Sequence, residues 1–178
     1  MRPAILIAGV GNIFLGDDGF GVEVATALLK HPPAEDVVVR DFGIRGFDLV
    51  YALLEPWEAV ILVDALARGA HPGSLYAIEP RLEGMEEAEL NPHGMDPVRV
   101  LTLAASLGTI TARVFVVGCE PEDFGDELEG RMGLSATVEA AVPPACVMVE
   151  GLVGRLRAAR GMGREQDPLQ LQMTKEVK

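Results

Sequence analysis

Residues 4–25 read AILIAGVGNIFLGDDGFGVEVA, and this stretch decides the fold. Residues 4–10 form a short apolar run that ends among glycines, whereas residues 19–30 carry apolar side chains at helical spacing. This pattern predicts a buried strand, a loop and then a helix. Such a unit begins an α/β fold if the alternation of strands and helices continues along the chain.

The same alternation continues to residue 160. The apolar patterns predict further strands over residues 37–42, 59–66, 74–79 and 113–119, and further helices over residues 47–54, 98–107 and 135–160. Residues 59–66 (AVILVDAL) are apolar almost throughout, which is typical of a strand covered on both faces. Pro143 and Pro144 are expected to kink or break the last helix. The sequence therefore predicts a three-layer α/β/α sandwich around a mostly parallel sheet of about five strands.

Length and composition indicate a folded, acidic protein. The chain has 178 residues, 49% of them hydrophobic and 24% charged, and its 15 basic and 27 acidic residues give a net charge of −12. Because a chain of this size buries about 70% of its unfolded surface, we expect one domain over residues 1–160, followed by a polar tail over residues 161–178. Nucleic acids and anionic lipids are bound chiefly through Lys and Arg clusters, so we expect neither a nucleic-acid nor a membrane partner.

The termini and the cysteines favour a cytoplasmic protein. The first apolar run is short and leads into polar loop residues rather than into a signal-peptide cleavage site. No later apolar stretch is expected to reach the roughly 20 residues that a membrane span needs. Cys119 and Cys146 are far apart and form no CxxC pair, so we expect two reduced thiols in the core.

The predicted fold also indicates where to look for chemistry. In open parallel sheets, ligands bind in the crevice beyond the carboxyl ends of the strands. We therefore expect the functional residues in the loops after Val10, Val63 and Ala77. The acid-rich loop over residues 120–130 (EPEDFGDELEG) is expected to be solvated.

The loop after the first strand carries two adjacent carboxylates. It opens like the GxGxxG motif of dinucleotide-binding proteins, but Phe14 stands where the third glycine is needed. Asp17 and Asp18 then stand where an anion would bind, which disfavours a nucleotide site. One of the two is expected to cap the following helix, and this leaves the other carboxylate for a different task.

Two further residues complete a candidate site. Asp64 ends the apolar strand, where a carboxylate must emerge at an edge with a partner, and His93 lies in the Pro- and Gly-rich loop NPHGMDP. No local motif joins Asp18, Asp64 and His93, but the predicted fold brings each of them near the same edge of the sheet. Two carboxylates and an imidazole with open coordination positions suit nickel, zinc or iron.

Six segments carry a resemblance to a known family. In chain order they are GVGNIFLGDDGFGVEVA, DFGIRGFDL, ILVDA, NPHGMDP, VVGCEPE and GLSATVEAAV. They closely resemble the hydrogenase maturation endopeptidases, which are cytosolic enzymes that remove a C-terminal extension from the nickel-loaded large subunit of a [NiFe]-hydrogenase. Many relatives carry a Thr-containing GTxG where this chain has Ile44 and Arg45.

The resemblance implies both a site and a cofactor arrangement. It implies that Asp18, Asp64 and His93 contact the metal and are the catalytic residues. It also implies that nickel arrives with the large-subunit precursor, which is the expected partner, and that the protein holds no tightly bound metal of its own. The metal could position the scissile peptide, polarise its carbonyl or activate a water.

Two other functions are alternatives to the endopeptidase. A peptidyl-tRNA hydrolase also opens with a strand and a glycine-asparagine loop, but that family needs a basic surface for RNA and an Asn after its His, where this chain has Gly94 after His93. A non-catalytic docking module for metalloprotein maturation would share the acidic surface, and it is the alternative to the endopeptidase.

Overall fold

The computed structural model describes residues 4–31, 33–81, 97–125 and 129–160. The predicted tail over residues 161–178 and all but the last residue of the NPHGMDP loop lie outside the described residues.

The described residues form the predicted alternation of strands and helices. The strands are β1 (Ile5–Val10), β2 (Val37–Gly43), β3 (Ala59–Ala65), β4 (Leu75–Ile78) and β5 (Arg113–Cys119). The helices are α1 (Phe20–Leu28), α2 (Gly46–Leu53), α3 (Pro97–Leu107), α4 (Ala136–Glu139) and α5 (Val142–Ala159), with a 3-10 turn (Gly16–Gly19) before α1.

The helix predicted over residues 135–160 is divided, but not by kinking at its prolines. Ser135 caps α4, since its side chain accepts a hydrogen bond from the backbone of Val138. The break between α4 and α5 falls at residues 140–141. Pro143 and Pro144 then lie in the first turn of α5, where a missing backbone N–H leaves no helical hydrogen bond unmade.

The five strands form one mostly parallel sheet, which confirms the predicted fold class. The strand order is β2-β1-β3-β5-β4, and β4 alone among these strands runs antiparallel to its neighbour. Leu75 at the start of β4 is paired with Cys119, and Ile78 with Val116. The expectation that the loop after Ala77 lies at the carboxyl edge is therefore wrong, because the reversed strand leaves the sheet at the opposite edge. The loop before β4, residues 66–74, lies at the carboxyl edge instead.

Side chains that alternate along the strands pack into two hydrophobic cores, one on each face of the sheet. Ile5 and Ile7 pack in the core that α1 and α5 cover, whereas Leu6 and Ala8 pack in the core that α2 and α3 cover. Every residue of β3 is buried, as its unbroken apolar pattern predicts. The result is the three-layer α/β/α sandwich.

One stretch differs from the expectation that no later apolar segment reaches the length of a membrane span. Ala136–Ala159 is long and apolar enough to cross a membrane by length and composition alone. Within it, Ala145, Val149, Leu152 and Leu156 recur at helical spacing and are buried in the core that α1 shares. This is the pattern of a helix that covers one face of a sheet in a globular domain.

Helices α2 and α3 run in the same direction across their face of the sheet. Gly108 follows α3, and a methyl group on it would lie 3.1 Å from Cδ2 of Leu54, which follows α2. Each of these helices leads into the amino end of a parallel strand, β3 or β5. Both helices therefore end at the amino edge of the sheet and begin at the carboxyl edge.

A group of ion pairs fastens the end of α5 to the amino edge. Asp36, which immediately precedes β2, is buried, and its carboxylate accepts a hydrogen bond from the Arg160 guanidinium. Arg157 Nε lies 3.3 Å from the same carboxylate, and Arg160 Nε donates to Glu58 Oε2 at 2.9 Å. The hydrogen bond from Arg160 is the main reason why the pKa of Asp36 is lowered.

Candidate functional site

Gly11 is the point where two of the predicted site residues meet. It follows β1 with a φ of 126°, a conformation that residues with side chains rarely adopt. A methyl group on Gly11 would lie 1.8 Å from the carbonyl oxygen of Asp18 and 3.7 Å from Oδ1 of Asp64. The main chain of Asp18 and the carboxylate of Asp64 thus border the same glycine at the carboxyl edge of the sheet.

Asp18 is held by the loop from which it emerges. Its Oδ2 accepts a hydrogen bond from the backbone N–H of Asn12 at 2.7 Å, and the residue is half-buried. Burial raises the pKa of Asp18, and the hydrogen bond from Asn12 offsets part of that rise. The side chain is therefore an oriented carboxylate whose ionisation is less favourable than in water.

Asp64 occupies the penultimate position of β3 and is only 4% exposed. Its Oδ1 accepts a hydrogen bond from the backbone N–H of Ala65 at 2.8 Å. A carboxylate at the end of a doubly covered strand is costly to bury without partners. Asp64 is thus a second oriented oxygen donor beside Gly11.

Asp17 does not cap helix α1, although one of the two adjacent carboxylates was expected to do so. Helix α1 has Gly19 at its N-cap and no side-chain cap. The Asp17 carboxylate is fully buried and accepts hydrogen bonds from the backbone N–H groups of Glu122 at 2.8 Å, Asp123 at 3.0 Å and Ser135 at 2.6 Å, and from the Ser135 hydroxyl at 2.9 Å. Burial by itself would raise the pKa of Asp17, but these hydrogen bonds outweigh it and lower the pKa. Asp17 therefore ties the loop that carries Asp18 to the segment after β5.

Glu120 is a further buried carboxylate near the site, and the sequence patterns did not predict its burial. It belongs to the acid-rich loop that was expected to be solvated, yet it is only 5% exposed. It accepts hydrogen bonds from the backbone N–H groups of Arg68 at 2.9 Å and Gly69 at 2.9 Å, and from the Tyr76 hydroxyl at 2.5 Å. Glu120 therefore fixes the loop that follows Asp64. Its position directly after a buried strand was the available signal.

The GIRG segment lies on the other side of the Asp18 loop. The backbone N–H of Gly11 donates to the Gly43 carbonyl at 3.1 Å, so this segment adjoins the candidate site. Ile44 is 64% exposed, and the Arg45 guanidinium donates to the Asp41 carbonyl and lies 3.6 Å from the Asp48 carboxylate. A shallow cleft of about 570 Å³ borders the segment and is lined by Arg40, Asp41, Phe42, Arg45, Asp48, Tyr51, Ala52 and Glu55.

Neither cysteine has the environment of a reactive thiol. Burial, with the nearby carboxylates of Asp17 and Glu120, raises the pKa of Cys119 to about 11. Burial also raises the pKa of Cys146. Both thiols are therefore protonated at neutral pH. Cys119 is buried in the core, as predicted, whereas Cys146 is only partly buried against it.

The third predicted site residue, His93, lies outside the described residues. Within residues 4–31, 33–81, 97–125 and 129–160, no group of three or more His, Cys, Asp or Glu side chains is arranged to hold a metal ion. The structure thus brings together Asp18 and Asp64, and the role of His93 stays a prediction.

Comparisons with known proteins point to one family. The family model described as hydrogenase maturation protease matches residues 22–152. The hydrogenase expression/formation protein HupD of Rhizobium leguminosarum bv. viciae is 33% identical over 150 residues, which cover 79% of this chain and 73% of HupD. The corresponding protein HoxM of Cupriavidus necator is 32% identical and covers 78% of this chain and 70% of its own.

Solved structures agree with these relatives. The hydrogenase 2 maturation peptidase from Thaumarchaeota archaeon SCGC_AB-539-E09 superposes with a TM-score of 0.65 at 32% identity, covering 85% of this chain and 98% of that one. The hydrogenase maturating endopeptidase HybD from E. coli superposes with a TM-score of 0.67 at 27% identity, covering 92% and 94%. The predicted resemblance is confirmed, and the chain belongs to the hydrogenase maturation protease family, a family of peptide-bond hydrolases.

Proposed function

We propose that this protein is a cytoplasmic endopeptidase that removes the C-terminal extension of a [NiFe]-hydrogenase large-subunit precursor after nickel has been loaded. Asp18, Asp64 and His93 would recognise the nickel that the precursor carries and act as the catalytic residues. The observation that carries the proposal is that the main chain of Asp18 and the carboxylate of Asp64 border the same glycine, Gly11, at the carboxyl edge of the sheet.

The chemistry of the two carboxylates supports this role. Each is oriented by a backbone N–H group, Asn12 for Asp18 and Ala65 for Asp64. A carboxylate can accept several partners at once, so such a hydrogen bond does not prevent it from coordinating a cation. Oxygen donors of this kind, with an imidazole nitrogen, suit a borderline divalent metal such as nickel.

The direction of α3 supports the assignment of His93. Helix α3 begins at Pro97, at the carboxyl edge of the sheet, which is also the edge where Asp18 and Asp64 lie. His93 precedes Pro97 by four positions, and four residues span at most about 14 Å. The chain between His93 and α3 is therefore short enough for the role proposed for His93 at that edge.

The donor set also accounts for why the metal would come with the substrate. Tightly held structural metal sites are usually closed by four ligands that include thiolates. Here the two cysteines are protonated thiols, and the proposed donors are two carboxylates and one imidazole. Such a set leaves open coordination positions for a metal that the precursor already ligates, and a nickel-free precursor would then present nothing to recognise.

The test is to incubate the purified protein with nickel-loaded and nickel-free precursor and to measure the mass of the large subunit afterwards. Only the nickel-loaded precursor should be shortened. Asp18→Asn, Asp64→Asn and His93→Ala should each abolish shortening, whereas Glu23→Gln, on the exposed side of α1, and His71→Ala, in an exposed turn, should process at the parental rate.

Two results would contradict the proposal in different ways. Binding of the nickel-loaded precursor without any change in its mass would favour the non-catalytic docking module. Shortening by His93→Ala at the parental rate would remove His93 from the site while leaving the activity itself intact.

A further inference from the structure

Three large apolar side chains stand exposed on two loops at the carboxyl edge. Phe14, in the loop after β1, is 57% exposed, while Phe124 and Met132, in the segment after β5, are 39% and 70% exposed. We call these three residues the apolar patch. Large apolar side chains grouped on a surface are typical of interaction sites, whereas single ones are common and need no explanation.

The loops that carry the apolar patch are fastened to each other. The backbone N–H of Arg131 donates to the Phe14 carbonyl at 2.8 Å, and the N–H of Gly16 donates to the Arg131 carbonyl at 2.7 Å. The Arg131 guanidinium also donates to Asp123 at 2.7 Å, next to Phe124. Two loops joined in this way present their side chains in one fixed arrangement, which lowers the entropy lost on binding.

The same fastening places the apolar patch beside the candidate site. The Asp17 carboxylate accepts the N–H groups of Glu122 and Asp123, which immediately precede Phe124. Asp17 is also the immediate neighbour of Asp18. A partner seated on the apolar patch therefore lies against the loop that orients Asp18.

Charge indicates what kind of surface would fit. Glu122 and Glu129 are exposed around the patch, Asp123 is paired with Arg131, and the chain as a whole carries a net charge of −12. An apolar centre with an acidic rim complements an apolar surface bordered by Lys and Arg. It disfavours anionic lipid, which the acidic rim would repel.

We propose that Phe14, Phe124 and Met132 form a docking surface for the folded body of the large-subunit precursor, through an apolar area bordered by basic side chains. The inference rests on the proposed function, because it takes the precursor as the partner. Recognition would then have two parts, docking of the folded precursor on the patch and engagement of its metal by the site beside it.

The experiment compares the unmodified enzyme with Phe14→Ser/Met132→Ser on nickel-loaded precursor. Removing interface anchors should raise KM about tenfold or more and leave kcat within about twofold, because the reacting groups are untouched. The matched control is Leu107→Ser/Val147→Ser, since these side chains are similarly exposed, at 56% and 68%, and lie away from the patch. Its KM should equal the parental value.

Two further variants serve as a control for misfolding and as a test of the acidic residues around the patch. Circular dichroism melting should be parental for the double variant; if it is not, Phe124→Ser is measured in its place and should raise KM in the same direction. Glu122→Lys should also raise KM and weaken its dependence on salt.

The outcomes separate the two proposals. No shortening of the precursor by the unmodified enzyme would refute the proposed function. Normal shortening together with a parental KM in the patch variants would refute the docking surface alone. The docking surface would equally be refuted if the double variant kept the parental KM but lost binding to neutral phosphatidylcholine vesicles, since the patch would then face a membrane.

Discussion

Ser135 donates two hydrogen bonds to the carboxylate of Asp17, from its backbone N–H at 2.6 Å and from its hydroxyl at 2.9 Å, although the two residues lie 118 positions apart. Ser135 is at the same time the N-cap of α4. One serine therefore links the start of a covering helix to the loop of the candidate site.

Asp17→Asn should destabilise the fold by about 2–4 kcal/mol, because an amide cannot accept all the hydrogen bonds that the buried carboxylate accepts and turns an N–H toward other donors. Urea unfolding at neutral pH measures the change in free energy. The control is Asp48→Asn, whose parent side chain is 65% exposed and whose effect should stay within about 0.5 kcal/mol. Equal effects of the two substitutions would contradict a fastening role for Asp17.

Asp18→Asn should be at least as stable as the parent at neutral pH. Burial raises the pKa of Asp18, so this carboxyl favours the folded state when protonated, below its ordinary pKa, and loses that contribution as pH rises through the folded-state pKa. The amide stays neutral, and its advantage at pH 7 should vanish on acidification to below about pH 4. Urea unfolding at both pH values checks this, and a parent that is more stable at pH 7 would count against it.

Asp36 should stabilise the fold at neutral pH and lose this effect in acid, which is the opposite of the pH dependence expected for Asp18. Its pKa is lowered, chiefly by the hydrogen bond from Arg160, so its contribution is present above the ordinary carboxyl pKa and is lost as pH falls through the folded-state pKa. Asp36→Asn should therefore unfold more readily than the parent at pH 7, with the difference shrinking in acid. Thermal melting across this range measures the difference, and a gap that does not depend on pH would argue against the ion pairs as its source.

The predicted elements show what local pattern determines. Strand β5 was predicted over its observed residues, 113–119, because an apolar run bounded by polar residues on both sides defines a buried strand. The direction of β4 could not be predicted. A short strand looks the same in both directions, and its pairing with β5 is decided by contacts distant in sequence.

The candidate site shows the same division between local and distant causes. Asp17 and Asp18 are adjacent carboxylates, and nothing local distinguishes the one that fastens loops from the one beside Gly11. The difference arises from Glu122, Asp123 and Ser135, more than one hundred positions later. The proximity of Asp18 and Asp64 was predictable, since the carboxyl ends of parallel strands share an edge.

The protein should be isolated essentially without metal. Two carboxylates and one imidazole lack the thiolates and the fourth ligand of a tight structural site, so nickel should remain bound only in the presence of the precursor. Elemental analysis of washed protein measures this directly. A stoichiometric zinc that resists chelators would contradict the expectation and favour a conventional metallopeptidase.

Processing activity should fall on acidification in a step near the titration of His93. Only neutral imidazole coordinates a metal, and an unperturbed His titrates near about 6.5. In the proposed site, the carboxylates of Asp18 and Asp64 would favour the imidazolium and move the step upward. The measurement is the rate on nickel-loaded precursor against pH, with a control that the precursor keeps its nickel. A rate that is flat from mildly acidic to neutral pH would exclude His93 from metal recognition.

The strand order has a consequence for synthesis of the chain. Strand β5 lies between β3 and β4 in the sheet, yet it is made after both of them. Until β5 leaves the ribosome, β3 lacks a neighbour on one side and β4 has no strand to pair with. Glu120 and the residues that hydrogen-bond to Asp17 follow β5, so they have not yet been synthesised either. The emerging chain therefore cannot complete the edge that orients Asp18 and Asp64. The site can therefore form only late, when most of the polypeptide has been translated.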